Sequence, residues 1–316
     1  MSAPTSPQLV EALGSQVVGR RRELEQVLAA LSAGRHLLLE GPPGTGKSTL
    51  LRAVAGAVGT GFELVEGNAE LTPSRLIGTF DPAAVLETGY SPDVFLDGPL
   101  TAALRDGSLL YVEEINRIPE ETLNVLIGVM SEGELHVPRL GRIAAGPGFR
   151  LVAAMNPFDA IGTARIASAV YDRCCRLTMG YQEQADELLV VARMAPGAAA
   201  AVGAGFVTQV VSMVRATRGH GELRTGSSVR GAIDMLLLVH ELAELRAVAV
   251  TDPTVTLDAA LMALSGRIKV REGGARTADE IVVSLWERFF APPDGDPGDG
   301  GDGGEPGQRG GADPKA

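Results

Sequence analysis

The feature that most constrains this chain is HLLLEGPPGTGKSTL at residues 36–50, an apolar run that breaks into glycines and then into a helix-forming segment. Gly41, Gly46, Lys47 and Ser48 stand at the spacing G-x-x-x-x-G-K-[ST] of a phosphate-binding loop. Glycines let backbone N–H groups turn inward around phosphate oxygens, and a helix that starts at the loop adds the positive end of its dipole. In such a loop the lysine reaches the β- and γ-phosphates and the serine hydroxyl ligates Mg²⁺. The candidate nucleotide cradle is therefore Gly41, Pro42, Pro43, Gly44, Thr45, Gly46, Lys47, Ser48 and Thr49. Chance is a poor explanation. Of 28 basic residues only Lys47, Lys269 and Lys315 are lysines, and one of them falls at the motif's lysine position.

A second landmark is Ser108–Arg117, SLLYVEEINR, where four apolar residues predict a buried strand and two carboxylates follow at its C-terminal end. Open α/β sheets place their ligands at that end. Glu113 is suited to hold Mg²⁺, directly or through water, and Glu114 to orient and deprotonate a water attacking a γ-phosphate. Paired glutamates after a strand also cap helices, so the catalytic reading depends on the phosphate loop upstream. A third predicted strand, Phe149–Ala154, runs into Met155-Asn156-Pro157, where Asn156 is placed to hydrogen-bond the water or the phosphate.

Composition excludes several classes. The net charge of −11 argues against a basic nucleic-acid surface. Cys174 and Cys175 are adjacent and build no disulfide framework; they read as small apolar residues of a buried strand. The histidines, His36, His136, His220 and His240, lack metal-ligand spacing. MSAPTSPQLVEALGS has neither the basic region nor the apolar core of a signal peptide, and the uncharged run Met194–Val214 reads as a buried small-residue helical segment. A soluble, cytoplasmic protein with no membrane and no nucleic-acid partner is expected.

The periodicity predicts an α/β class: a P-loop parallel sheet followed by a small α-helical lid. The expected divisions are a flexible N-terminus (1–14), an α/β nucleotide-binding domain (15–181), a helical lid (182–290) and a disordered acidic Gly/Pro-rich tail (291–316). Apolar helical spacing precedes the loop at Leu24, Val27, Leu28 and Leu31, led by Val17-Val18-Gly19-Arg20. Asn68–Asp97 reads as a long irregular insertion punctuated by turns at Thr72-Pro73, Asp81-Pro82 and Ser91-Pro92, 119–132 as a helix, and 135–149 as a hairpin or extended insertion carrying Arg139 and Arg142. In the lid, Ser227 and Ser228 are N-cap candidates, and Arg230 falls in the first turn of an apolar helix. The helix dipole disfavours a cation there, which an anionic ligand would explain.

Together GPPGTGKS, LLYVEEINR, AAMNP and VYDRCCRL, followed by GSSVRGAID, resemble an AAA+ ATPase, and within that group the MoxR family. The resemblance covers about residues 15–290. It implies ATP hydrolysis with Mg²⁺ held by Ser48 and Glu113, Lys47 on the phosphates, Glu114 as the base and Asn156 as sensor 1. It further implies Arg230 as sensor 2 and Arg173 as an arginine finger acting on a neighbouring subunit, with Arg165 the alternative finger. A homo-oligomeric ring, hexameric in the family pattern, would remodel or metal-load a protein client, with a von Willebrand factor A domain partner. The chain departs from the family at Glu113, where aspartate is usual, and at Cys174-Cys175, where phenylalanine is usual. Two rivals remain: an AAA+ motor on nucleic acid, with Arg139 and Arg142 facing a pore, and a nucleotide-gated ring scaffold without significant hydrolysis.

Overall fold

A computed structural model describes residues 6–157 and 168–290. The expectations placed on residues 1–5, on Arg165 and on the 291–316 tail lie outside the described residues.

The chain opens with α1 (Pro7–Gly14), whose N-cap Ser6 accepts from the Leu9 N–H. This corrects the expected flexible segment: residues 7–14 are helical because Leu13 is fully buried, with Leu9 and Val10 packed beside it. In α2 (Arg21–Ser32), Leu24, Val27 and Leu28 form the buried stripe that helical spacing predicts. The helix leads to β1 (His36–Glu40), where Leu37, Leu38 and Leu39 are at most 2% exposed. Consecutive apolar residues require cover on both faces of the sheet. Leu38 packs into one core and Leu37 and Leu39 into another on the opposite face.

After the glycine-rich loop come α3 (Lys47–Val58) and β2 (Phe62–Glu66). The stretch expected to be irregular instead holds α4 (Pro73–Ile77), β3 (Gly78–Phe80), α5 (Pro82–Thr88) and β4 (Phe95–Asp97), with β3 and β4 antiparallel. Pro73 and Pro82 read as turn residues in the sequence, yet each opens a short helix, where a missing N–H costs nothing. Thr72 and Asp81 cap those helices.

Next are α6 (Pro99–Asp106), β5 (Leu109–Glu113), α7 (Glu120–Glu132), the hairpin β6 (Glu134–Val137) and β7 (Gly141–Ala144), then β8 (Arg150–Met155), α8 (Ser168–Arg173) and β9 (Cys174–Thr178). The five longer-range strands make one parallel sheet in the order β2-β5-β8-β1-β9. β9 lies at an edge. That position corrects the expected burial of the cysteines, since Cys174 is half-buried and Cys175 exposed.

The remaining chain is α9 (Gln184–Met194), α10 (Pro196–Val202), α11 (Ala204–Arg218), β10 (Leu223–Thr225), α12 (Val229–Arg246), α13 (Pro253–Leu264), β11 (Lys269–Val270) and α14 (Ala278–Phe290). Its pattern is helical as expected, with one addition: β10 and β11 pair antiparallel. These elements have a core of their own, around Val210, Met213, Met235, Val239, Ala259 and Val282. Among the described residues no single helix is long and apolar enough to cross a membrane. The uncharged run from Met194 turns by 110° between α10 and α11, and α11 buries Val210, Val211 and Met213 in the helical core.

Candidate nucleotide site

Three parallel strands end at the same edge of the sheet. β1 runs into the glycine-rich loop, β8 into Asn156 and β5 into Glu113 and Glu114. Adjacent register places Glu40 of β1 beside Met155 of β8. The loop then turns on Gly44 and Gly46, at φ +74° and +85°, a region L side chains rarely occupy. α3 begins at Lys47, so its free N–H groups face the loop's concavity. The resulting cleft, of about 190 Å³, is lined by the loop from Pro43 to Thr49, by Tyr111, Glu113 and Glu114, by Asn156 and by Arg230.

Lys47 is held inside the loop, its Nζ donating to the carbonyls of Gly41 at 2.9 Å and Pro42 at 3.0 Å. Burial lowers its pKa to about 8, with Glu113 opposing and Arg230 and Arg20 reinforcing the shift. Among the described residues its hydrogen bonds go to backbone carbonyls, and an ammonium so held is poised for an anionic ligand. Ser48 Oγ donates directly to Glu113 Oε1, and Tyr111 OH lies 3.4 Å from the same hydroxyl. The glutamate's extra methylene therefore does not keep it from the serine. A hydroxyl and a carboxylate oxygen side by side form the hard-oxygen donor set that suits Mg²⁺. Burial raises the Tyr111 phenol's pKa, so this ring stays neutral beside the carboxylate.

Glu114 sits at φ +49°, at the turn after β5, and pairs with Arg117 at 2.9 Å. Arg230 reaches the cleft from the helical region. The N-terminus of α12 comes so close that a Cβ on Gly44 would stand 2.2 Å from Ser228 Oγ and 3.6 Å from Arg230 Cδ. Ser228 is the N-cap residue by position, but its side chain makes no capping bond.

Among the described residues, the expected Gly41 and Pro42 stand just before the loop residues that line the cleft, and Arg173 lies elsewhere. His36 pairs with Cys174 and Glu40 with Thr178, so Arg173 sits beyond the N-terminal edge of the sheet and the loop beyond the C-terminal edge. At about 3.3 Å per residue that separates them by roughly 15 Å along the strands. Its guanidinium bonds Ser131 Oγ of α7 at 2.5 Å and the Ala169 carbonyl at 3.0 Å.

Two residues that sequence reasoning passed over support the loop. Arg20 is 4% exposed and donates to Thr45 O at 2.9 Å, Gly180 O at 2.6 Å and Glu23 Oε1 at 2.7 Å. In the sequence Val17-Val18-Gly19-Arg20 reads only as the lead-in to a helix, and nothing there signals a buried cation. Glu40 ends β1 with its carboxylate buried against Tyr171 and Arg176. An acid closing an otherwise apolar strand was the available signal. The two hairpin arginines are engaged within the chain: Arg139 lies 3.9 Å from the Tyr90 ring centroid, and Arg142 pairs with Glu134.

Residues 36–174 match the profile of the AAA domain (dynein-related subfamily). An uncharacterized protein of Staphylococcus haemolyticus is 35% identical over 155 residues, 48% of this chain and 58% of that protein. The gas vesicle ATPase GvpN of Ancylobacter aquaticus is 31% identical over 229 residues, 65% of this chain and 61% of that protein. The chain thus spans about three fifths of the length of these curated relatives. A solved candidate ATPase from Cytophaga hutchinsonii shares the fold, at a TM-score of 0.50 and 20% identity over 89% of this chain and 93% of that one. The chain has the AAA+ fold, and residues 36–174 match the AAA domain of the dynein-related subfamily.

Proposed function

We propose that this is a MoxR-type AAA+ ATPase that hydrolyses ATP to ADP and phosphate in a homo-oligomeric, hexameric ring, to remodel or metal-load a partner protein complex in the cytoplasm. The observation that carries the reading is the convergence of Lys47, the Ser48–Glu113 pair, Glu114, Asn156 and Arg230 on one cleft, while Arg173 is kept about a strand's length away. An arginine so placed cannot serve its own nucleotide, which fits the trans role in a ring that the family resemblance implies.

In this reading Lys47 leaves the Gly41 and Pro42 carbonyls for the β- and γ-phosphates. Ser48 and Glu113 would hold Mg²⁺, which when bound offsets charge on the phosphate oxygens. Glu114 orients the attacking water and takes its proton, and Asn156 hydrogen-bonds the water or the γ-phosphate. Arg230 carries the charge state of the phosphates to the helical region, residues 182–290, which acts as a lid. Arg173 of the adjacent subunit offsets charge developing on the transferred group. A partner with a von Willebrand factor A domain follows from the family resemblance.

Glu114→Gln tests this directly. ATP binding should persist while hydrolysis falls at least about a hundredfold, and the ATP-bound variant should retain the client in a pull-down. Wild-type turnover in that variant would favour the scaffold reading. The nucleic-acid motor requires Arg139 and Arg142 to face a polyanion, and their engagement with Tyr90 and Glu134 weighs against it.

A further inference from the structure

We propose that Glu40 and Tyr171 are positioning residues that tie the loop-bearing strand of one nucleotide site to the helix that delivers Arg173 to the next. The inference rests on the trans role proposed for Arg173. Glu40 is 2% exposed, and a buried carboxylate is costly unless paired and hydrogen-bonded. Both of its oxygens are engaged. Oε1 accepts from Tyr171 OH at 3.0 Å, and Oε2 accepts from Arg176 Nε at 2.6 Å. Arg176 lies on the neighbouring strand β9, whereas Tyr171 lies on α8, two residues before Arg173.

On the loop side, Glu40 is followed by Gly41, whose carbonyl accepts from Lys47 at 2.9 Å. That bond breaks when Lys47 turns to a phosphate. The glycine has no slack, because a Cβ on it would lie 2.1 Å from Met179 O, and the Glu40 carbonyl accepts from Met179 N at 2.7 Å. A change at the Gly41 peptide is therefore felt by Glu40. On the other side, α8 is gripped twice: by Tyr171 on β1, and by Arg173 on Ser131 of α7. When Arg173 leaves Ser131 for a neighbour's phosphate, the Tyr171–Glu40 bond still fixes the helix to the sheet. Nucleotide in one site thus sets the aim of the arginine offered to the next.

The test uses mixed rings of the full chain, with wild-type subunits diluted into a large excess of donor subunits. Donors carry Glu114→Gln, so they bind ATP without turning it over, and hydrolysis comes from wild-type sites flanked by donors. Adding Tyr171→Phe to the donors should lower that hydrolysis about tenfold, the factor available from one hydrogen bond to a charged group, with KM unchanged within about twofold. Tyr171 is 42% exposed and Glu40 keeps Arg176, so the variant folds; an unchanged melting curve verifies this. Donors carrying Arg173→Ala give the reference for a missing finger. If Arg173→Ala donors abolish hydrolysis while Tyr171→Phe donors match their parent, the positioning role is overturned and the finger stands. If Arg173→Ala donors also sustain hydrolysis, the trans role is wrong and this proposal falls with it.

Discussion

Gly44→Ala is the substitution whose outcome the geometry specifies most fully. Two costs are separable. Gly44 has φ +74°, where an L side chain is strained by roughly 1–2 kcal/mol. The new Cβ would also stand 2.2 Å from Ser228 Oγ and 2.7 Å from Ser228 Cβ. The hydroxyl can rotate away, but the Cβ is fixed to the start of α12. To open 2.7 Å to the ordinary 3.4 Å contact, α12 must retreat by about 0.7 Å. Overpacking of this kind costs roughly 1–3 kcal/mol. The helical region has its own core, so it relieves the clash by moving away from the loop rather than by unfolding. Global stability should therefore fall by the strain alone, about 1–2 kcal/mol in urea unfolding. The contact cost should appear in nucleotide affinity, to which Arg230 contributes in the proposed reading, as a loss of about five- to a hundredfold. Ser228→Gly discriminates the two. Alone it should cost only a few tenths of a kcal/mol, since the Ser228 side chain makes no capping bond. Combined with Gly44→Ala it should restore most of the affinity and none of the strain. Fluorescent-nucleotide titration of all four proteins gives the coupling energy. Additivity within about 0.5 kcal/mol would refute the claim that α12 touches the loop at this point.

Further expectations concern other parts of the molecule. Arg173→Ala and Glu114→Gln should each be inactive alone and regain measurable ATPase activity when mixed, because each supplies what the other's neighbour lacks; inactivity of the mixture at verified ring assembly would count against a trans arginine. Glu187, 1% exposed and paired with Arg215 and Arg218, should cost about 3–5 kcal/mol when replaced by Ala, since two cations lose their shared carboxylate and keep only neutral partners; a change below about 1 kcal/mol in chemical unfolding would contradict this. His36 has its pKa lowered to about 4 by burial and by Arg150, and its Nδ1 accepts the Leu151 N–H at 2.9 Å. Because the folded value lies below the unfolded 6.5, its contribution is complete above pH 6.5 and is lost as pH falls toward 4, up to about 3 kcal/mol before solvent screening. His36→Asn should flatten that part of the pH–stability profile; an unchanged slope would remove His36 as its source.

The sequence by itself determined which residues meet at the sheet edge. Lys47, Ser48, Glu113, Glu114 and Asn156 each sit at or just beyond the end of an apolar run, and such runs become buried parallel strands whose C-terminal ends share one side. Local rules sufficed there, because the loop glycines, the strand ends and the helix start are all set by near neighbours in the chain. The same rules misjudged Pro73 and Pro82, which punctuate a turn or open a helix equally well, and residues 7–14, whose order comes from Leu13 reaching a core built by distant segments. Only the tertiary structure decided that β8 lies between β1 and β5, that Arg20 bridges Thr45 and Gly180, and that Glu40 is joined to Tyr171 and Arg176. Those are contacts between residues up to 160 apart, and no periodicity records which buried charge finds which partner. The same holds for Arg173: its residue type was legible, but its distance from its own cleft follows from the register of β9 on β1, which is a property of the folded sheet.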